Sequence, residues 1–84
     1  MQNKQKLLII DDEANMRHML SSMLRRLGYV VETAANGKIG LDALATGTFD
    51  VVLCDIRMPE MDGMEFLRRA GERGITTTVI MMSA

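Results

Sequence analysis

Acidic side chains follow two apolar segments of this chain, at points where strands are expected to end. Asp11 and Asp12 come directly after Leu7–Ile10, and Asp55 follows Val51–Cys54. Because ligand sites of open parallel sheets lie beyond the carboxyl ends of the strands, we expect these three carboxylates to meet in one crevice. Clustered carboxylates repel one another and either hold protons or require a cation, and hard oxygen ligands in this number favour Mg²⁺.

Phosphoryl transfer is the chemistry that suits such a crevice, because a metal offsets the phosphoryl charge while one carboxylate attacks as the nucleophile. Asp55 is the candidate nucleophile, since it stands alone at the end of its strand. Asp11 and Asp12 are adjacent and suited to holding the ion. Ser83 follows another apolar segment and can donate a hydrogen bond to a phosphoryl oxygen.

Alternating apolar strands and amphipathic helices predict the elements that must position these residues. Strands are expected at Leu7–Ile10, Tyr29–Ala34, Val51–Cys54 and Thr77–Met82, and helices at Ala14–Leu27, at residues 38–46 and from an Asp62 cap to Arg73. This alternation predicts an α/β fold with an open, doubly wound parallel sheet. Gly28 and Gly47 are expected to end the first two helices, Gly28 in the left-handed conformation.

Apolar spacing also predicts which face each helix buries. The residues expected to point inward are Met16, Met19, Leu20, Met23, Leu24 and Leu27 in the first helix, Leu41, Leu44 and Ala45 in the second, and Met64, Leu67 and Ala70 in the third. Core packing is the expected role of the methionines, and Cys54 is expected to be a small core residue.

The length and charge of the chain exclude several classes of protein. Eighty-four residues suffice for one domain. Ten basic and eleven acidic side chains, with a net charge of −1, provide no basic surface for nucleic acid. No apolar stretch approaches the length needed to span a membrane. The single cysteine is typical of a reducing compartment, so the chain is interpreted as cytoplasmic.

In combination, four motifs resemble the receiver domain of two-component response regulators, a flavodoxin-like family. The motifs are Leu7-Leu8-Ile9-Ile10-Asp11-Asp12-Glu13, Asn36-Gly37, Asp55-Ile56-Arg57-Met58-Pro59-Glu60-Met61-Asp62-Gly63, and Ser83-Ala84. Within the family, the residues from Asp11 to Leu20 are most similar to receivers of nitrogen-regulation-type transcriptional activators.

The resemblance implies a role for each of these residues. Asp55 is the phosphoacceptor and takes its phosphoryl group from a histidine kinase. Asp12 ligates Mg²⁺ directly, Asp11 assists through water, and the backbone carbonyl of Arg57 is a third protein ligand. Ser83 is the switch hydroxyl that contacts the phosphoryl group. The domain is a signalling module that passes its state to an output domain, and is not an enzyme.

The resemblance covers residues 1–84 but only about two thirds of a typical five-stranded receiver. The chain is therefore expected to be a single partial receiver, C-terminally truncated to four strands in the order 2-1-3-4 and three helices. A second hypothesis follows, in which the chain is a non-catalytic interaction fragment. It would form a homodimer or higher oligomer through the strand Thr77–Met82 or through an uncovered sheet face near Met19 and Met23.

Other interpretations fit the residues less well. Strand-end acids can be solvated termini or helix caps, and Asp12 or Glu13 could cap the first helix. A phosphatase with an aspartate nucleophile usually carries a second acid two residues later, where this chain has Arg57. Flavin mononucleotide binding needs a phosphate cradle after the first strand, where residues 11–13 would repel phosphate.

Overall fold

Four strands and three helices alternate along residues 4–82, which are the residues that this computed structural model describes. The strands are β1 (Lys6–Ile10), β2 (Val30–Ala34), β3 (Val51–Asp55) and β4 (Thr78–Met82), and the helices are α1 (Ala14–Arg26), α2 (Gly37–Thr46) and α3 (Gly63–Glu72). Every predicted element is present, with bounds that differ from the predicted ones by one or two residues. No helix in this part of the chain is both long and apolar enough to cross a bilayer.

The four strands form one parallel sheet in the order β2-β1-β3-β4, which confirms the predicted order 2-1-3-4. Ile10, the last residue of β1, lies opposite Ala34 of β2 and Cys54 of β3. These three residues are therefore level, and the residues that follow them, Asp11, Ala35 and Asp55, emerge at the same edge of the sheet.

The larger core lies between one face of the sheet and the helices α2 and α3. Its fully or nearly fully buried side chains are Leu8, Ile10, Ala34, Leu41, Leu44, Phe49, Val52, Cys54, Met58, Phe66 and Ala70. Cys54 is thus a core residue, as predicted. Burial on this face holds the carboxyl ends of β1 and β3 rigidly, because both strands place their last apolar side chain in it.

The opposite face of the sheet carries a smaller core under α1. Leu7, Ile9 and Val31 are buried there, and Leu20 and Leu24 of α1 pack against them. Helices on both faces confirm the doubly wound α/β class.

Several residues predicted to line the helix cores are exposed instead. Met16, Met19, Met23 and Leu27 form an exposed strip along α1, with Leu27 70% exposed. The prediction failed because the apolar surface of α1 is wider than its contact with the sheet, where Leu20 and Leu24 suffice.

The same error affected the other two helices. Met64 and Leu67 are exposed on α3, whose inner face is formed by Gly63, Phe66 and Ala70. On α2, Leu41 and Leu44 are buried as predicted, whereas Ala45 is exposed because Gly40 takes the inward position.

Each helix begins at a side chain that caps its first backbone N–H groups. The carboxylate of Glu13 accepts from the amides of Asn15 and Met16, both at 3.0 Å. Asn36 Oδ1 caps α2, and Asp62 Oδ1 caps α3 as predicted; each accepts a backbone N–H at 2.8 Å. Each helix follows the carboxyl end of a strand, so all three helices begin at the edge of the sheet where the acidic residues lie.

The two predicted helix stops have different geometries. Gly28 follows α1 with φ of 101°, the left-handed conformation that was predicted and that a side chain would disfavour. Gly47 follows α2 in extended backbone, with φ of −138°, so it ends the helix without a left-handed turn.

A matched pair of glycines tests how tightly α2 packs on the sheet. A Cβ at Gly40 would collide with Ile10 Cδ1 and lie 3.3 Å from Phe66 Cε1, both in the larger core. We expect Gly40→Ala to lower the free energy of unfolding by about 1–3 kcal/mol. Gly71 of α3 has open space around it, so Gly71→Ala is expected to raise stability by about 0.5–1 kcal/mol. Urea denaturation of both variants measures the difference; equal effects would contradict the packing described for α2.

Candidate functional site

Three carboxylates meet at the carboxyl edge of the sheet. One oxygen from each of Asp11, Asp12 and Asp55 lies within 4.8 Å of the others. The level ends of β1 and β3 produce this arrangement, because Asp11 follows Ile10 and Asp55 follows its partner Cys54. The predicted convergence of the three acids is thus present in the structure.

Asp11 is the buried member of the cluster, with 5% of its surface exposed. Its Oδ1 accepts the amide of Glu13 at 2.9 Å, and its own amide donates to the carbonyl of Ala34 at 3.2 Å. Burial raises the pKa of the Asp11 carboxyl, and the charges of Asp55, Asp12 and Glu13 raise it further, against the lowering effect of the Glu13 amide. The surroundings of Asp11 therefore disfavour the charged form of its carboxyl group.

Asp12 and Asp55 are more accessible than Asp11. Asp12 is exposed, and Asp55 is half-buried at the end of β3. Asp55 Oδ1 accepts the amide of Arg57 at 3.1 Å, so the backbone of Arg57 turns over the carboxylate while its side chain stays exposed. One side of Asp55 is held by the loop after β3, and an open cleft of about 460 Å³ lies beside that loop.

The loop between β3 and α3 is anchored at both of its ends. The amide of Ile56 donates to Met82 of β4 at 3.1 Å, and the amide of Gly63 donates back to Ile56 at 2.9 Å. A Cβ at Gly63 would lie 2.6 Å from the carbonyl oxygen of Asp55, so only glycine allows α3 to begin this close to the end of β3. The position of Asp55 therefore depends on a close backbone contact as well as on its strand.

The donor set and its charge fit a hard divalent cation. Among the ion pairs formed within residues 4–82, none involves these three carboxylates. Three adjacent carboxylates without a cationic side chain paired to them, one of them buried, match the ligands of Mg²⁺. Ser83, the other predicted contributor, lies outside the described residues.

Sequence reasoning missed one residue at this edge. The guanidinium of Arg17, in the second turn of α1, donates from Nη1 to the backbone carbonyl of Asp11 at 2.8 Å. The signal was available, because long side chains near a helix start lean toward its N-terminus. Glu13, one of two residues considered as a cap, is the residue that caps α1.

Comparison with known proteins agrees with this fold. The family model described as the response regulator receiver domain matches residues 7–84. The chain belongs to this family. Receiver domains are signalling domains that accept a phosphoryl group, and the four motifs that indicated the family in the sequence all lie within the matched residues.

The individual relatives are regulatory proteins and response regulators. Regulatory protein AtoC of Escherichia coli is 44% identical over 79 residues, which are 94% of this chain and 17% of AtoC. The solved receiver domain of the Francisella response regulator 1452 has a TM-score of 0.91 and 30% identity, covering 96% of this chain and 67% of that one. Response regulator TrrA of Thermotoga maritima, solved with Mg²⁺–BeF, has a TM-score of 0.88 and 32% identity, covering 95% and 70%.

The chain spans a small part of the curated relatives. Its matches take up 17% of AtoC and 35% of the transcriptional regulatory protein DltR of Streptococcus agalactiae. The receiver is thus one portion of each of these longer regulatory proteins.

Because the surroundings of Asp11 disfavour its charged form, removal of that charge should change the stability of the protein. In EDTA at neutral pH, we expect Asp11→Asn to raise the free energy of unfolding, because it removes a buried negative charge and keeps an oxygen for the Glu13 amide. Asp42→Asn, an equal change of net charge at an exposed position of α2, is expected to have little effect. Urea denaturation compares the two; a destabilised Asp11→Asn variant would mean that the charged form is favoured by its surroundings.

Proposed function

We propose that this chain is a phosphoacceptor receiver that takes a phosphoryl group from a histidine kinase onto Asp55, with Mg²⁺ bound by the neighbouring acids. The observation that carries this proposal is the meeting of Asp11, Asp12 and Asp55 within 4.8 Å in a chain of the receiver family. The solved complex of TrrA with Mg²⁺–BeF supports it, since that relative has the same fold.

Asp12 and Asp55 are the residues that would ligate the ion directly, with Asp11 acting through water and the Arg57 carbonyl completing the protein ligands. When bound, Mg²⁺ would offset the charge of the carboxylates and of the incoming phosphoryl group. Burial of Asp11 and exposure of Asp12 support this division, because the exposed carboxylate is the one that can approach an ion with least rearrangement.

In the transfer step, a carboxylate oxygen of Asp55 attacks the phosphorus of a phosphohistidine. A P–O bond to Asp55 forms as the P–N bond breaks, and the electron pair stays on the imidazole nitrogen, which then takes up a proton from solvent. The product is an aspartyl phosphate. Because Asp55 Oδ1 accepts the Arg57 amide, we propose Oδ2 as the attacking oxygen.

The phosphorylated state would then reach an output portion of a longer protein. Ser83, which follows β4, is proposed to donate a hydrogen bond to the phosphoryl group and so to report its presence. Names such as regulatory protein AtoC and transcriptional regulatory protein DltR support an output that regulates transcription. We also propose that the protein works in the cytoplasm, where the lone thiol of Cys54 stays reduced.

Mass spectrometry of the intact protein tests the phosphoacceptor. After incubation with Mg²⁺ and a small phosphodonor such as acetyl phosphate, we expect one phosphoryl group per chain, lost in Asp55→Asn and strongly reduced in EDTA. Asp50→Asn is the matched control, because it removes an acid from the other end of β3, where Asp50 accepts from the Lys6 amide. A folded protein that gains no adduct, or an adduct that persists in Asp55→Asn, would refute the proposal.

Self-association is a second candidate role, favoured by the exposed strip of Met16, Met19, Met23 and Leu27 on α1. Ile80 of β4, 49% exposed, adds to the apolar surface of the same sheet face. If this surface joins copies of the chain, the mass measured by light scattering should rise with concentration, and Met19→Lys with Met23→Lys should suppress the rise. A constant monomer mass would contradict this role.

A further inference from the structure

We propose that Arg17 is a positioning residue for the metal site, one that fixes the carboxylate of Asp11 by holding the peptide from which it projects. The inference rests on the proposed function, because it assigns Arg17 a role in Mg²⁺ binding by these acids. Arg17 itself is not proposed as a ligand.

The carbonyl of Asp11 is the atom through which Arg17 acts. Arg17 Nη1 donates to it at 2.8 Å, in a half-buried contact. Because the donor is a guanidinium, this is a charge-assisted hydrogen bond, shorter and stronger than a neutral one. Two other groups of Asp11 are also hydrogen-bonded: its amide donates to the carbonyl of Ala34, and its Oδ1 accepts from the amide of Glu13. Partners from β2, the loop and α1 thus hold Asp11 from three directions.

Arg17 also closes the short loop between β1 and α1. Its backbone amide donates to the carbonyl of Glu13 at 3.1 Å, while its side chain reaches back to Asp11. Glu13 in turn donates its amide to the Asp11 carboxylate and caps α1 through its own carboxylate. The Asp11 carbonyl belongs to the peptide that joins Asp11 to Asp12, so the Arg17 side chain restrains the backbone between the two acids.

Two effects of Arg17 on metal affinity have opposite signs. As a positive charge near the site, Arg17 repels a cation, so its removal would tighten Mg²⁺ binding. As a positioning residue, it keeps the carboxylates in a binding geometry, so its removal would weaken binding. Loss of groups that orient metal ligands typically lowers metal affinity about 10–100-fold. The direction of the change therefore distinguishes the two roles.

Arg25 provides a matched control on the same helix. Its Nη2 donates to the carbonyl of Val31 at 2.8 Å, also in a half-buried contact, but near the other end of α1. Arg17→Met and Arg25→Met each remove one positive charge and one guanidinium–carbonyl bond. We expect the dissociation constant for Mg²⁺, measured by calorimetry, to rise about tenfold or more in Arg17→Met and to stay within about twofold of wild type in Arg25→Met.

Two further measurements separate this inference from the proposed function. In EDTA, where no Mg²⁺ is available, the backbone amide of Glu13 should exchange with deuterium faster in Arg17→Met than in Arg25→Met.

Arg17→Lys, whose ammonium can donate to the same carbonyl, should recover most of the affinity for Mg²⁺. If Arg17→Met does not fold, Arg17→Gln takes its place, since it shortens the side chain and keeps it polar.

The outcomes are distinct. Wild-type protein that binds no Mg²⁺ refutes the proposed function. Wild-type binding that is unchanged or tightened in the folded Arg17 variants, with unchanged exchange at Glu13, refutes the positioning role and leaves the proposed function standing.

Discussion

Electrostatic repulsion among Asp11, Asp12 and Asp55 is the constraint on which the rest of the structure depends. Carboxylates this close separate unless the backbone holds them, and here the backbone does so through the level ends of β1 and β3. The apolar residues just before the acids, Ile10 and Cys54, are fully buried in the larger core. Hydrophobic burial therefore supplies the free energy that keeps the charges together, and a bound cation would relieve the repulsion that remains.

Short contacts around the site limit how far the acids can move apart. Gly63 lets α3 begin against the carbonyl of Asp55, and the Arg57 amide holds the carboxylate itself. On the other strand, the Glu13 amide holds the Asp11 carboxylate, and Glu13 also caps α1. The helix starts thus serve two purposes at this edge: they satisfy free backbone groups, and they fix the loops that carry the acids.

The sheet and its acidic edge could be predicted from the sequence, while the buried faces of the helices were predicted only in part. Parallel strands joined by helices must bring their carboxyl ends to one edge, so the position of Asp55 near Asp11 follows from element order alone. Helical spacing, by contrast, tells which residues share a side but not how wide the opposing surface is. Leu20 and Leu24 fill the contact of α1, and Met19 and Met23 are left exposed. On α3 the prediction placed Met64, Leu67 and Ala70 inward, whereas Gly63, Phe66 and Ala70 are the buried residues, so only Ala70 was right. Helical geometry indicates that Arg17 leans toward the start of α1, but the carbonyl that it reaches is determined by how α1 leaves the loop.

The same negative field disfavours the thiol beside Asp55 as a nucleophile at the end of β3. Cys54 and Asp55 are neighbours, but strand alternation turns Cys54 into the larger core and leaves Asp55 at the edge. Burial and the charges of Asp55, Asp11 and Asp62 raise the pKa of the Cys54 thiol to about 12, so the thiolate is scarcely populated near neutral pH. The Asp55 carboxyl, by contrast, is half-exposed at the end of β3. Clustering of acids therefore suppresses the thiol as a nucleophile while it brings together the carboxylate oxygens that suit a hard divalent cation.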